Sequence, residues 1–427
     1  MSNLNKEQQE AADGFLKFLF DPTKELIISG AGGVGKTFLM GHMIDIVLPH
    51  YQQTCSILGV KPEYDSVCMT ATTNKAAEVL SQATGRPSET IHSFLNLKVQ
   101  DDFSTGQSKL IKTDAFFPHA RKIIFIDECS MIDRQLRNII LEGTVNCKVV
   151  YVGDHCQLAP VMEKLSPIYL DNLPFYNLTQ PMRNAGNQAL INACSQVRAT
   201  VETGVFGAIQ TVPGSIDWLT DQEAEQEIAR TFLAGENARI LAYTNQRVIE
   251  FNNHIRELKQ LPIELQEDEY VINNSMVRIG KSALSVEEEV QIVRKDDFTS
   301  LVQIDGDIEL EVRRMDLKSA YSFIPNVPVP VNREHFLALI KYFQRTKNWR
   351  VYFKLKNNFP DLRPSESATV HKSQGSTYDT VFIDLTNLST CTQPDLAARL
   401  MYVAFTRAKK RVVLFGKLAS RFGSIVV

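Results

Sequence analysis

Gly30-Ala31-Gly32-Gly33-Val34-Gly35-Lys36-Thr37 is the stretch of this sequence most clearly built for chemistry. It fits the pattern G-x-x-x-x-G-K-[ST], with an apolar run, Leu26-Ile27-Ile28-Ser29, before it and a helical pattern from Lys36 to Val47 after it. Gly30, Gly32, Gly33 and Gly35 let backbone N–H groups turn inward around phosphate oxygens, and the helix start adds positive potential. Lys36 would reach the β- and γ-phosphates of a bound nucleoside triphosphate, and Thr37 would hold Mg²⁺. The alternative is a glycine-rich turn without function; the strand before it and the helix after it weigh against that.

The partner chemistry lies at Ile123-Ile124-Phe125-Ile126-Asp127-Glu128. Parallel sheets bind ligands at the carboxyl ends of their strands. There Asp127 would hold Mg²⁺, directly or through water, and Glu128 would orient and deprotonate an attacking water. Taken alone, the pair reads equally well as a solvated strand end. Behind a phosphate loop it reads as the hydrolytic half of an ATPase.

Buried parallel strands must position these groups. Leu26–Ser29, Val67–Thr70, Ile123–Ile126 and Val149–Val152 are short, near-continuous apolar runs of the kind buried on both faces of a sheet. A second α/β signal starts at Ile240-Leu241-Ala242-Tyr243 and resumes at Val381–Asp384 and Arg411–Phe415. Between them Met276–Ile279, Glu289–Val293 and Ser300–Met315 alternate with period two, and Asp305-Gly306 marks a hairpin. This predicts a small β-barrel inserted into the second α/β domain. Pro325, Pro328 and Pro330 predict an extended linker, and Asn332 caps a predicted helix to about Thr346. Leu97–Phe103 and Gln107–Lys112 around Ser104-Thr105-Gly106 predict a projecting hairpin in the first domain.

The chain has 427 residues, 44% of them hydrophobic and 22% charged, which suits two to four soluble domains. Its net charge of −3 argues against a coat that holds nucleic acid by bulk charge, but leaves room for a local basic channel. No apolar run nears the roughly 20 residues needed to span a bilayer. Seven scattered cysteines form no Cys-x-x-Cys pair, and Met1–Glu7 lacks the features of a signal peptide, so a reducing cytoplasm is expected.

Further stretches complete a set that resembles the superfamily 1 helicases. Gly153-Asp154-His155-Cys156-Gln157-Leu158-Ala159-Pro160-Val161 looks like motif III, with Ala159 in place of a common proline. Leu178-Thr179-Gln180-Pro181-Met182-Arg183 resembles motif IV, Thr369-Val370-His371-Lys372-Ser373-Gln374-Gly375-Ser376-Thr377 motif V, and Leu400–Ala408 motif VI. Leu4-Asn5-Lys6-Glu7-Gln8 is similar to the Q motif, Ala71–Ala77 to motif Ia and Thr90-Ile91-His92 to motif Ib. Motif order and the inserted β-domain look like the 5′→3′ branch, superfamily 1B, that contains RecD and Pif1; the compact length suits its phage-type members.

The resemblance implies an α/β fold of two RecA-like P-loop NTPase domains, with an inserted β-hairpin in the first and an SH3-like β-barrel in the second. The implied boundaries are 1–184 for the first domain with its hairpin at about 93–120, 185–255 and 360–427 for the second, and 256–359 for the barrel with its extension. It implies that Gln8 reads the adenine edge, Gln157 and Arg183 meet the γ-phosphate, Gly375 lines the nucleotide site and Arg407 is an arginine finger. Thr72, Asn74, His92, Tyr243, Asn245, Thr369 and His371 would hold single-stranded DNA, although singly each reads as a helix cap or turn residue. Phe103 would wedge a duplex junction, or pack locally within its hairpin. Trp349, Tyr352 and Phe353, interleaved with basic residues, suit strand stacking, but packing on the inserted barrel is the preferred reading.

The implied activity is ATP-dependent, Mg²⁺-dependent 5′→3′ DNA unwinding by a monomer. Single-stranded DNA and duplex junctions, and replication or single-strand-binding proteins, would be its partners. Two alternatives stay open: a translocase that strips proteins without unwinding, and an ATP-switched binding module.

Overall fold

The computed structural model describes residues 4–160, 163–180, 187–262, 264–280, 282–319 and 322–426. Six parallel strands form the first sheet in the order Ser88–Thr90, Ser66–Ala71, Lys122–Asp127, Lys148–Gly153, Glu25–Gly30 and Phe175–Leu178. Alternate residues of the central strands enter two cores. Leu26, Ile28, Phe125, Val150 and Val152 meet Phe15, Leu39 and Met40 on one face. Ile27, Ile124, Ile126, Val149 and Tyr151 meet Ile91, Leu136 and Ile140 on the other. Apolar side chains at every position are thus used, half on each face.

Strand Lys148–Gly153 separates the phosphate-loop strand from the acidic strand. Two inter-strand spacings put their ends about 10 Å apart, room for a triphosphate chain.

The second sheet is also parallel, ordered Ile216–Leu219, Ala408–Phe415, Tyr378–Asp384, Ala238–Ala242 and Ser367–Thr369. Helices Gln188–Thr203 and Pro394–Thr406 cover one face, and Asp221–Leu233 and Asn245–Leu258 the other.

Between the last helix and the return to this sheet lies a five-stranded antiparallel sheet: Phe323–Pro330, Ile308–Lys318, Glu289–Asp305, Tyr270–Asn273 and Leu362–Pro364. Asp305 pairs with Ile308 across a two-residue turn in which Gly306 takes φ +52°. The segment holding Pro325, Pro328 and Pro330 corrects the linker expected there. It is a strand, with Pro330 opposite Val312 and Pro328 opposite Arg314. Its place at the sheet edge explains the error, because there a missing N–H costs no ladder bond. Asn332 accepts from the His335 N–H at 2.9 Å and caps helix Arg333–Arg345, as its sequence predicts.

Leu97–Asp102 and Gln107–Lys112 pair antiparallel, projecting from the first sheet. The tip is not free. Phe103 meets Phe353 edge-on at 5.5 Å between ring centroids, and Asn357 donates to Asp101 at 2.6 Å. Gly106 lies so close to Trp349 that a Cβ there would come within 2.4 Å of the indole. Trp349, Phe353 and Asn357 belong to helix Trp349–Asn358, whose Val351 and Leu355 pack with Ile304, Leu310 and Val312 of the antiparallel sheet. That helix therefore serves both as packing for the sheet and as the seat of the hairpin.

Candidate functional site

One cleft of about 2040 Å³ runs between the units, from Lys36 and Thr37 past Thr72 and His92 to Phe103 on the hairpin. At its first end the phosphate loop turns through Gly33 and Gly35, at φ +86° and +84°, a region closed to most side chains. Lys36 Nζ donates to the carbonyls of Gly30 at 2.7 Å and Ala31 at 3.0 Å, so the ammonium lies across the loop's mouth. Gly30 is pressed against the neighbouring strand: a Cβ would sit 2.6 Å from the Leu178 carbonyl oxygen. Gly32 has open space around it.

Asp127 ends its strand facing this loop. Burial, and then the adjacent Glu128, push its carboxyl up to about 6, while Lys36 opposes the shift. Its Oδ1 accepts from the Glu128 N–H at 2.9 Å. Glu128 adopts φ +53°, a left-handed conformation costly for a residue with a Cβ. Its Oε2 is buried without a hydrogen-bond partner among the described residues. A strained carboxylate with an unused oxygen is suited to a ligand such as water or a hydrated cation.

Gln157 is buried on the loop after strand Lys148–Gly153. Its Oε1 accepts from Gln374 of the second unit at 2.9 Å. Beside it Asp154, fully buried, accepts from the Tyr402 hydroxyl at 2.6 Å and Arg198 Nη1 at 2.7 Å. Arg399 donates to the carbonyls of His155 and Gln157, both at 2.6 Å. The first unit's phosphate-side loop is thus fastened to the two helices that cover one face of the second sheet.

A model of an AAA domain matches residues 18–163, and a model of a UvrD-like helicase C-terminal domain matches residues 365–415. The ATP-dependent DNA helicase dda of Enterobacteria phage T4 is 23% identical over 459 aligned positions, covering 95% of this chain and 98% of that protein. Over nearly its whole length the chain is thus similar to a phage Dda helicase. Among solved structures, a Pif1 helicase from Candida albicans is 17% identical with a TM-score of 0.48, covering 99% of this chain and 97% of its own. A Pif1 helicase from Bacteroides, in complex with ADP-AlF3 and single-stranded DNA, is 14% identical with a TM-score of 0.45, covering 100% and 95%. On this chain the glycine-rich loop, the acidic strand end and parts of the motif-like segments line one cleft.

The structure brings most of the expected residues to that cleft. Gly375, at φ +83°, lines it opposite the phosphate loop. Arg407 is buried at the same wall, its Nη1 donating to the Ser376 carbonyl at 3.0 Å. Gln8 is fully buried at the back of the loop, where Nε2 donates to the Val34 carbonyl at 3.2 Å and Oε1 accepts from the Asn5 N–H at 3.1 Å in a capping box. These bonds leave one amide N–H and one lone pair of Gln8 free, but its full burial means that an adenine contact requires the side chain to become accessible. Arg183 lies outside the described residues.

Toward the other end, Thr72 Oγ1 donates to the carbonyl of Glu128 at 3.1 Å, joining a strand-contact candidate to the backbone of the hydrolytic candidate. Asn74 donates to Ser285 Oγ at 2.8 Å across the cleft. His92 lines the cleft, and burial lowers its pKa. The Tyr243 and His371 rings lie 6.2 Å apart at the carboxyl ends of their strands. Asn245 accepts from Arg363 at 3.1 Å, and Thr369 is buried, its Oγ1 accepting from the Lys372 N–H at 3.3 Å. Gln374, Asp154, Tyr402, Arg399 and Arg198 carry the contact between units without being singled out beforehand. Gln374, Asp154 and Tyr402 lie inside motif-like segments and Arg399 lies one residue before one; Arg198 has no sequence signal beyond its place in an amphipathic helix.

Proposed function

We propose that the chain is an ATP-dependent DNA helicase that moves 5′→3′ along single-stranded DNA and parts the duplex ahead of it. The observation that carries this reading is one cleft lined by the hydrolytic candidates at one end and by the hairpin with Thr72, Asn74, His92 and His371 toward the other, its two units joined by the Gln157–Gln374 bond. Residues 1–184, 185–255 with 360–427, and 256–359 are its working domains, the last read as an SH3-like barrel with its helical extension.

In this reading Lys36 leaves the Gly30 and Ala31 carbonyls to hold the β- and γ-phosphates, while the loop N–H groups cradle them. Thr37 and Asp127 supply hard oxygens suited to Mg²⁺, which when bound offsets phosphate charge. Glu128 takes the proton of the attacking water on its unused oxygen. Gln157 senses the γ-phosphate, Arg183 and Arg407 neutralise charge developing on it, and Gln8 serves the base edge from behind the loop. The strand lies across the tops of both units on Thr72, Asn74, His92, Tyr243, Asn245, Thr369 and His371. Short hydroxyl and amide groups hold phosphates loosely enough to be released at each step. The Thr72–Glu128 bond gives strand binding a path to the hydrolytic site.

Arg407→Ala is expected to lower kcat for ATP by about 10³-fold or more while ATP affinity changes little, because its charge counts chiefly in the transition state. Steady-state ATPase with a separate nucleotide titration checks this. A loss confined to affinity makes Arg407 a ground-state binding residue.

Phe103 is 60% exposed although its ring meets Phe353 at right angles, which leaves much of the side chain open to a base pair. Phe103→Ala is expected to slow strand separation by about tenfold at most, with DNA-stimulated ATPase preserved, since an aromatic contact is worth about 0.5–1.5 kcal/mol. Equal loss of both activities assigns Phe103 to structure alone.

The test of the proposal itself is unwinding of a duplex bearing one single-stranded tail. A 5′ tail should support ATP-fuelled separation and a 3′ tail should not. Separation from 3′ tails contradicts the direction; ATP turnover without separation favours the protein-stripping translocase.

A further inference from the structure

Arg239 is a buried cation with no carboxylate partner among the described residues. It is 8% exposed, on strand Ala238–Ala242, and its Nε and Nη1 have no hydrogen-bond partner among the described residues. Elsewhere in this unit the buried Arg256 holds Glu269, and the partly exposed Arg247 and Arg411 hold Asp384 and Asp217 with Glu227; the buried Arg407 donates to the Val403 and Ser376 carbonyls. Arg137 and Arg198 also carry an unpartnered nitrogen, but each pairs with carboxylates as well. Burying a charge without a counter-charge is costly, and such a group is kept where an anion arrives.

The surroundings say which anion. The Arg239 guanidinium lies over the Tyr378 ring at 4.7 Å from its centroid, a stack that holds the planar fork in place. Tyr378 follows Gly375-Ser376-Thr377, and its N–H donates to the Arg407 carbonyl at 2.8 Å. Arg239, Tyr378 and Arg407 line the same cleft as Lys36 and Thr37. The strand-contact candidate Tyr243 lies four residues further along the chain, about 13 Å away at an extended rise. Arg239 is at the amino end of its strand, with the nucleotide candidates, and Tyr243 is beyond the carboxyl end, with the strand candidates.

We propose that Arg239 binds the triphosphate chain of the nucleotide, acting from the second unit beside Arg407. The inference rests on the nucleotide reading of the cleft. Tyr378 is its positioning residue: the ring restricts the guanidinium without spending a donor.

The test uses the full chain with three probes: ATPγS, ADP and an oligothymidine strand, each titrated at equilibrium against the parent, Arg239→Ala and Arg239→Gln. Thermal melts confirm folding, and the glutamine variant keeps side-chain length if the alanine variant melts early. The expected result is about tenfold or greater loss of ATPγS affinity, the scale of a charge-assisted hydrogen bond, with a smaller loss for ADP and unchanged oligothymidine affinity. Arg239→Lys should recover only part, because an ammonium lacks the stacked fork. Folded variants that bind ATPγS like the parent overturn the proposal and leave Arg239 a packing residue. Loss confined to oligothymidine also overturns it and makes Arg239 a strand contact. If the parent itself binds no ATPγS, the nucleotide reading of the cleft fails first.

Discussion

Lys36→Ala is expected to bring ATP turnover and strand separation to background while binding to single-stranded DNA persists. Lys36 is the cation at the mouth of the phosphate loop, where its ammonium already bonds to two loop carbonyls. Without it, the first unit's loop offers the β- and γ-phosphates only backbone N–H groups and the start of a helix. The strand candidates are separate residues, of which Thr72, Asn74, His92 and His371 line the same cleft. Phosphate release and strand affinity measured on one preparation check the separation of roles. ATPase activity surviving in the variant would show that this loop does not carry the chemistry.

The second large effect concerns Glu128. Glu128→Gln is expected to bind ATP with Mg²⁺ as the parent does and to lower kcat by about 10²–10⁴-fold, the contribution typical of a positioned general base. The amide keeps the side chain's shape, so the left-handed backbone at φ +53° and the Thr72 bond to the Glu128 carbonyl remain. What goes is the capacity of the buried Oε2 to accept a proton. The variant should therefore accumulate in the ATP-bound state, seen as slow release of a fluorescent ATP analogue. Near-normal turnover moves the base elsewhere, with Asp127 the nearest carboxylate.

The parts of the fold and site legible beforehand were those written in adjacent residues. Apolar runs marked the central strands, the phosphate loop announced itself by its glycines, and Asn332 marked a helix start. Distant partners were not legible. Gln157 and Gln374 meet across 217 positions, and Asp154 and Tyr402 across 248. Each is a polar residue in a motif-like segment, and nothing local says that the other is its partner. The prolines at 325, 328 and 330 misled because proline reports only a missing donor; whether that donor would have faced a ladder or solvent depends on the strand's place in its sheet. Phe103 offered two readings, wedge or local packing. The observed contact, with Phe353 on a helix from a different unit, was neither of them. Arg239 carried no signal at all, since an arginine in an apolar strand is noticed only once its missing counter-charge is seen.

The most direct measurement is the time taken to reach a labelled end of a single strand. The protein is bound to oligothymidines of increasing length that carry a fluorophore at one end, and ATP is added with a trap that prevents rebinding. For a 3′ label, the arrival signal should come after a lag that grows in proportion to strand length. For a 5′ label, the signal should decay from the start without a length-dependent lag. Lys36→Ala should give neither. A signal independent of length at both ends, despite ATP turnover, would contradict the motor and leave an ATP-switched binding module in its place.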